Sequence, residues 1–239
     1  FKIPLIAITG TNGKTSTKNL LTHILSKRFS VLSTDGNFNN HIGLPLTLLK
    51  LNKSHEMAVI EMGASQKGDI RYLCNIALPD QGTITNISLA HTEFFNDIET
   101  IQATKGELFQ YLGANGGRAF VNLDDERVAE LGQGCTNHVP YSFKKETERS
   151  FTMTGPDKTG CYDLQFRKYS AHLGQPGKAI ALNAAAAATI SLQNGIRFDQ
   201  LLVKLDVCST KKLAVFIFTM MPTTPILQVP KPALKPCLK

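Results

Sequence analysis

The stretch IAITGTNGKTSTKNLL, starting at Ile6, constrains the fold more than any other feature of the chain. Ile3 to Ile8 is a short apolar run suited to a buried parallel strand, and Thr15 to Arg28 carries Leu20, Leu21, Ile24 and Leu25 at helical spacing. The loop between them therefore joins a strand to a helix. Glycines at Gly10 and Gly13 give its backbone room to turn.

A common loop in this context reads G-x-x-x-x-G-K-[ST], which here would put glycine where Ile8 stands; the glycine is instead Gly10. The physical logic survives the shorter spacing. Backbone N–H groups at a helix N-terminus, made approachable by glycine, form a nest for phosphate oxygens. Gly10, Thr11, Asn12, Gly13, Lys14, Thr15 and Ser16 are the candidates for such a nest. Lys14 would reach the β- and γ-phosphates of a nucleotide such as ATP, and the Thr15 hydroxyl would ligate Mg2+. A Gly-Asn turn that merely opens a helix is the alternative, and the agreement of strand, glycines, lysine and threonine weighs against it.

The 239 residues suffice for one substantial core with a small appendage, and no apolar run approaches a membrane span. FKIPLIAITG already forms a strand feeding the loop, so it is neither a signal peptide nor a natural domain start, and the chain is expected to be cut on its N-terminal side. Cys74, Cys135, Cys161, Cys208 and Cys237 are scattered and odd in number, which suits a reducing compartment, the cytoplasm by default. The net charge of +7 invites a nucleic-acid reading, but six lysines against one aspartate from Val203 to Lys239 supply most of it. No basic face remains to be explained elsewhere, and no nucleic-acid partner is expected.

Further along, VLSTDGNFNNHIGLPLTLLKL reads as a short strand, a polar loop rich in Gly and Asn, and a helix opened by Pro45. MAVIEMGA is a buried strand ending in a carboxylate, Glu61, and a glycine. DQGTITNISLAH is another strand, followed by a helix from about Asp97 to Leu112 and a strand within RAFVNLDDE. This alternation predicts an α/β fold, a doubly wound, mostly parallel sheet. Residues from about Asn137 to Phe166 read as a small antiparallel β flap, and KAIALNAAAAATISLQNGI as a helix closed by Gly195. Ligands of such sheets bind beyond the carboxyl ends of the strands, where Lys14, Glu61 and His91 all fall.

Taken singly, Glu61 reads as a solvated strand terminus, His91 as a loop hydrogen-bonder and Lys105 as an exposed helix lysine. Together they are more telling, because phosphoryl transfer needs metal ions held by oxygen or nitrogen ligands beside the phosphate loop, and Glu61 and His91 supply such ligands.

At this point the sequence resembles the Mur ligases of peptidoglycan synthesis, whose ATPase domain carries G-T-[NK]-G-K-T. The resemblance runs from about Ile3 to Gly195 and is strongest in TDGNFNNHIGLPLTLL, VIEMGASQKGDI and TNISLAHTEFFNDIETIQATKGELF. These favour the branch that joins D-alanyl-D-alanine to a UDP-N-acetylmuramoyl-tripeptide. The resemblance implies that Lys14 binds phosphate, that Thr15 and Glu61 hold one Mg2+, and that His91 helps hold a second. It implies that Lys105 is carbamylated into a carboxylate-like metal ligand, that Asn39 or Asn40 faces the reacting groups, and that Asn183 lies near the adenine. Relatives carry a second asparagine three residues before Asn183, where this chain has Ile180. The implied reaction activates the peptide carboxylate as an acyl phosphate, which the amine of D-alanyl-D-alanine then attacks. A folylpolyglutamate or cyanophycin-type synthetase, which shares the short loop, and an inactive nucleotide-binding fragment are the competing readings.

From about Leu205 the resemblance stops, so residues 1–204 are expected to be the central ATP-binding domain and 205–239 an aberrant tail. That tail holds five of the chain's eleven prolines and none of its eighteen glycines. Met220 and Met221 force ATGATG in the gene; with Pro222 following, the shifted frame must read Asp-Ala, and the next codons permit Tyr-Asn-Ser-Asn-Pro. That is the motif relatives carry here, so a frameshift before Met220 is expected. The N-terminal UDP-substrate domain and the C-terminal domain of relatives are expected to be absent.

Overall fold

In the computed structural model, residues 2–89 and 97–197 and the strand 216–219 are described. His91 and the remainder of the tail, on which several expectations rest, lie outside them.

β1 (Leu5–Thr9) runs into α1 (Lys14–Leu25), followed by β2 (Val31–Ser33), α2 (Gly43–Leu48), β3 (Met57–Glu61), α3 (Asp69–Ala77) and β4 (Gln81–Ile84). Next come α4 (Ile98–Ala114), β5 (Arg118–Asn122), α5 (Glu126–Gly132) and β6 (His138–Tyr141). Strands β7 (Thr152–Thr154), β8 (Asp163–Phe166) and β9 (Tyr169–Leu173) precede α6 (Lys178–Gln193), and β10 (Phe216–Thr219) follows. The main sheet has the order β2-β3-β1-β4-β5-β6 with every neighbouring pair parallel, which is the doubly wound architecture.

β1 is the central strand, and alternation along it divides the core in two. Ile6 and Ile8 join Leu20, Leu21, Leu25 of α1 and the alanines of α6 on one face. Leu5 and Ala7 join Ile70 and Leu73 of α3 and Leu108 and Leu112 of α4 on the other. With helices on both faces, β1 and β3 are buried along their whole length, which is why both read as continuous apolar runs. The run of alanines in α6 lets that helix lie close against α1; Ala181, Ala185 and Ala187 are fully buried.

Two boundaries differ from expectation. His138–Tyr141 pairs parallel with β5 from Ala119↔His138 to Asn122↔Tyr141, so it closes the main sheet and does not start the flap. Its Pro140 is tolerated because β6 is an edge strand, and that proline is what made the segment look irregular. The antiparallel unit begins later and is larger, with β7, β8, β9 and β10 in register. Helix α2 starts at Gly43 rather than at Pro45, because the Asn40 side-chain oxygen accepts the amides of Ile42 (3.1 Å) and Gly43 (2.9 Å) and caps the turn. Pro45 then occupies the first turn, where a missing N–H costs nothing. No helix among the described residues is long and apolar enough to cross a membrane.

Candidate functional site

The loop 10–13 follows β1 and is held open by the segment after β4. Thr11 N donates to Asn86 O (3.0 Å), Asn12 N to the Asn86 side-chain oxygen (3.0 Å), and Thr85 Oγ1 to Asn12 O (2.6 Å). Gly10 and Gly13 have φ of 139° and 81°, the region that favours glycine. Space demands glycine too: a Cβ at Gly10 would lie 2.9 Å from the Thr85 amide nitrogen, and one at Gly13 would overlap the Asn183 side chain.

Helix α1 has no side-chain cap and no acidic residue in its first turn. Its first helical bond is Thr17 N to Gly13 O (2.8 Å), so the amides ahead of it have no carbonyl within the helix. They and the helix dipole leave a positive end beside the glycine loop. Lys14 folds over that end, donating from Nζ to the carbonyls of Gly10 and Thr11, both at 2.9 Å. Burial lowers its pKa, and the nearby Glu61 charge opposes that shift.

Glu61, at the carboxyl end of β3, is 2% exposed. One carboxylate oxygen accepts the Asn39 side-chain amide at 2.8 Å, while Oε2 is buried with no hydrogen-bond partner among the described residues. An orphaned buried carboxylate oxygen is expensive in a finished core. It suits a site that receives a cation.

Asn39 reaches Glu61 by lying across Gly63, where a Cβ would stand 2.7 Å from its Oδ1, and Gly63 N donates to Asn39 O at 2.8 Å. Asn40, by contrast, spends its side-chain oxygen on the start of α2. The sequence left these two asparagines equivalent, and the geometry separates them.

Lys105 on α4 is 4% exposed, far from the exposed helix lysine its position suggests. Burial first, then the charge of Lys14, push its pKa down to about 8, against pulls from Asp69 and Glu107. Glu107, two residues on, is also buried and accepts the amides of Gly68 (2.7 Å) and Arg71 (2.9 Å), which clamps the start of α3 against α4. Asp69 holds the preceding turn by accepting the Ser65 and Gln66 amides at 2.8 and 3.0 Å.

These elements enclose a cavity of about 540 Å³ whose lining includes Gly10, Thr11, Lys14, Asn39, Asn40 and Lys105. The structure thus gathers six of the residues singled out in the sequence, with Glu61 joined to them through Asn39. Asn12, Gly13, Thr15 and Ser16 complete the loop and the first turn outside that lining, with Thr15 exposed. Asn183 is 7% exposed and packs against Gly13. His91 falls outside the described residues. Among the described residues no three His, Cys, Asp or Glu side chains gather as a metal cluster.

Sequence reasoning missed the far wall of the cavity, formed by His41, Gln66, Asp69 and Tyr72. His41, Gln66 and Asp69 lie in stretches that carry the resemblance but were given no role there, and the turn before α2 and the start of α3 bring them to the loop. It also missed Lys18, although the i, i+4 spacing from Lys14 was a readable signal.

Fold and loop together define an α/β domain with a short glycine-lysine loop at the carboxyl ends of its parallel strands. Residues 8–191 match the Mur ligase middle domain, and the chain belongs to that family. The UDP-N-acetylmuramoyl-tripeptide:D-alanyl-D-alanine ligase of Escherichia coli (strain K12) is 34% identical over 201 residues, covering 82% of this chain and 44% of that protein. The crystal structure of MurF from Acinetobacter baumannii superposes with a TM-score of 0.73 at 32% identity, covering 83% of this chain and 44% of that one. MurF ligase from Thermotoga maritima, solved in complex with ADP, gives a TM-score of 0.71 at 29% identity, covering 84% and 48%. The chain therefore spans less than half the length of these relatives.

Proposed function

We propose that this chain is the ATP-binding part of a ligase that joins D-alanyl-D-alanine to a UDP-N-acetylmuramoyl-tripeptide during peptidoglycan precursor synthesis in the cytoplasm. The observation that carries the reading is the single cavity in which the glycine loop, Lys14, Asn39 and Lys105 meet, in a chain 34% identical to the E. coli ligase of that name. The ADP complex of the Thermotoga maritima relative supports a nucleotide on the loop.

A carboxylate is a poor acylating agent, so the reaction needs a better leaving group than oxide. The tripeptide carboxylate oxygen forms a bond to the γ-phosphorus, the β–γ bridging P–O bond breaks, and ADP departs. The dipeptide amine then attacks the acyl carbon, phosphate leaves with the C–O bonding pair, and the amine loses a proton.

The amides of α1's first turn and Lys14 would hold the β- and γ-phosphates, Lys14 exchanging its two carbonyl acceptors for phosphate oxygens. Thr15, Glu61, His91 and Lys105 as its carbamate are the residues that would hold Mg2+, and the orphaned Glu61 Oε2 fits that assignment. Mg2+ when bound would offset charge on the transferred phosphoryl group. Asn39 keeps the Glu61 carboxylate aimed, and Asn183 bounds the loop on its helix side, toward the adenine. The charge on Lys14 develops its value in the transition state, where the shared negative charge is greatest.

The test is calorimetric titration of ADP and Mg2+ into the chain, followed by phosphate release from the complete ligase with tripeptide and dipeptide. Lys14→Ala should abolish turnover in the complete enzyme, and near-normal phosphate release by that variant would sink the assignment. Turnover with folate and glutamate in place of the muramoyl substrates would redirect it to the synthetase branch.

A further inference from the structure

Lys18 is 3% exposed, one helical turn beyond Lys14 on α1, and none of the roles above uses it. Burying an ammonium is costly unless it is paired and hydrogen-bonded. Among the described residues, the hydrogen bond of its Nζ goes to Thr34 O, at 2.6 Å. Thr34, itself 1% exposed, follows β2 and starts the loop that carries Asn39 and Asn40. Its hydroxyl accepts the amide of Glu61 at 2.9 Å, and its own amide donates to Val59 O at 3.2 Å. One threonine thus links Lys18 on its carbonyl to Glu61 on its hydroxyl. Burial lowers the Lys18 pKa, and the charges of Glu61 and Asp35 act against that, so both carboxylates lie within electrostatic reach of the ammonium.

We propose that Lys18 is a positioning residue for the cation site: through Thr34 it fixes the backbone of Glu61, and its buried charge backs that carboxylate from the protein side. This rests on the phosphate-and-metal reading of the cavity and goes beyond it by naming what aims Glu61 from behind. Asn39 grips the carboxylate from the cavity side, and Lys18 with Thr34 holds the main chain that carries it. A second cation beside a metal-binding carboxylate looks unfavourable by repulsion alone. Here the geometry separates the tasks, because Lys18 donates to a carbonyl and leaves Glu61 Oε2 without a partner among the described residues. Outer partners of this kind orient a ligand more than they compete for it.

The experiment compares the wild-type chain, Lys18→Met and Lys18→Arg by calorimetric titration of ADP with EDTA and of ADP with Mg2+. Lys18→Met should lose about 10-fold or more of the affinity for ADP with Mg2+, keep that for metal-free ADP, and regain the metal-dependent part in Lys18→Arg. Equal losses with and without metal would assign Lys18 a merely structural role, and no loss in either would remove it from the site; both overturn the proposal. Hydrogen exchange on the ligand-free proteins gives an independent reading. In Lys18→Met the Glu61 amide and the segment 34–40 should exchange faster while α6 stays protected, and unchanged exchange there overturns the proposal. Failure of the wild-type chain to bind ADP in either buffer would instead strike the phosphate-loop reading, with the exchange result still deciding whether Lys18 holds Glu61.

Discussion

Asn39 donates to one carboxylate oxygen of Glu61 at 2.8 Å, and the other oxygen of that same carboxylate is buried with no hydrogen-bond partner among the described residues. A half-satisfied carboxylate is a poor structural element and a good cation ligand, since its open lone pairs are already desolvated and aimed. The contact depends on Gly63, over which Asn39 lies.

Gly63→Ala tests that dependence. Its Cβ would fall 2.7 Å from Asn39 Oδ1 and 3.0 Å from Cγ, so the asparagine must withdraw from Glu61. The overpacking should destabilise the fold by about 1 kcal/mol. The metal-dependent part of ADP affinity should fall by about 10-fold, read by calorimetry with and without Mg2+. Metal dependence matching that of the wild type would show that Asn39 does not orient Glu61.

Gly10→Ala should be more severe, because both backbone conformation and space oppose it. The residue has φ of 139°, and the new methyl would press on the Thr85 amide nitrogen at 2.9 Å, a backbone atom that cannot swing away. Strain of this kind costs about 1–3 kcal/mol. Because Thr85 and Asn86 pin the loop, ADP binding should be lost while the far edge of the sheet is undisturbed. A variant that binds ADP normally would mean that the loop tolerates a different path.

Much of this was legible in the sequence, for definable reasons. The strand, glycine loop and helix around Lys14 are contiguous, so local pattern sufficed. Alternation of apolar runs with helical spacing carried the parallel sheet. Lys105 was found by resemblance alone, since its burial depends on α3 and α4 closing over it, which no local period encodes. His41, in the turn before α2, and Tyr72, on α3, reach the cavity from separate parts of the chain, and neither has a chemical signal of its own in the sequence. β6 was misassigned because a proline on an edge strand looks like a turn until the neighbouring strand is known.

Glu107 shows how the wall opposite the loop is built, and its removal should separate stability from binding. Its two oxygens accept the amides of Gly68 and Arg71, so Glu107→Ala leaves two amides at the start of α3 without acceptors. Hydrogen bonds to a charged group contribute about 1.5–3 kcal/mol each, and a loss of that order in total should appear as a lower denaturation midpoint. Hydrogen exchange should rise in the first turn of α3 more than in α1. A loss confined to ADP affinity, with the midpoint unchanged, would contradict a structural role.

Lys105 supplies a pH dependence whose sign follows from its burial. In the folded chain its pKa is lowered from 10.5 to about 8. Below about pH 8 both folded and unfolded lysine carry the proton, and the folded state bears the full penalty of a buried charge. Between about 8 and 10.5 the folded amine is neutral while the unfolded one still binds a proton, so stability rises with pH across that window and levels off above it. Lys14 and Lys18 are shifted in the same direction, so the measurement is the difference between wild type and Lys105→Met in denaturant titrations without metal or carbonate. The rise should be shallower in the variant, and identical slopes would refute a depressed Lys105. The same neutral amine is the form that attacks CO2, forming an N–C bond and releasing a proton. Isotopically labelled bicarbonate near pH 8 should therefore give a carbamate resonance in the wild type that Lys105→Met lacks, which would turn the one buried cation on α4 into an anion facing Lys14.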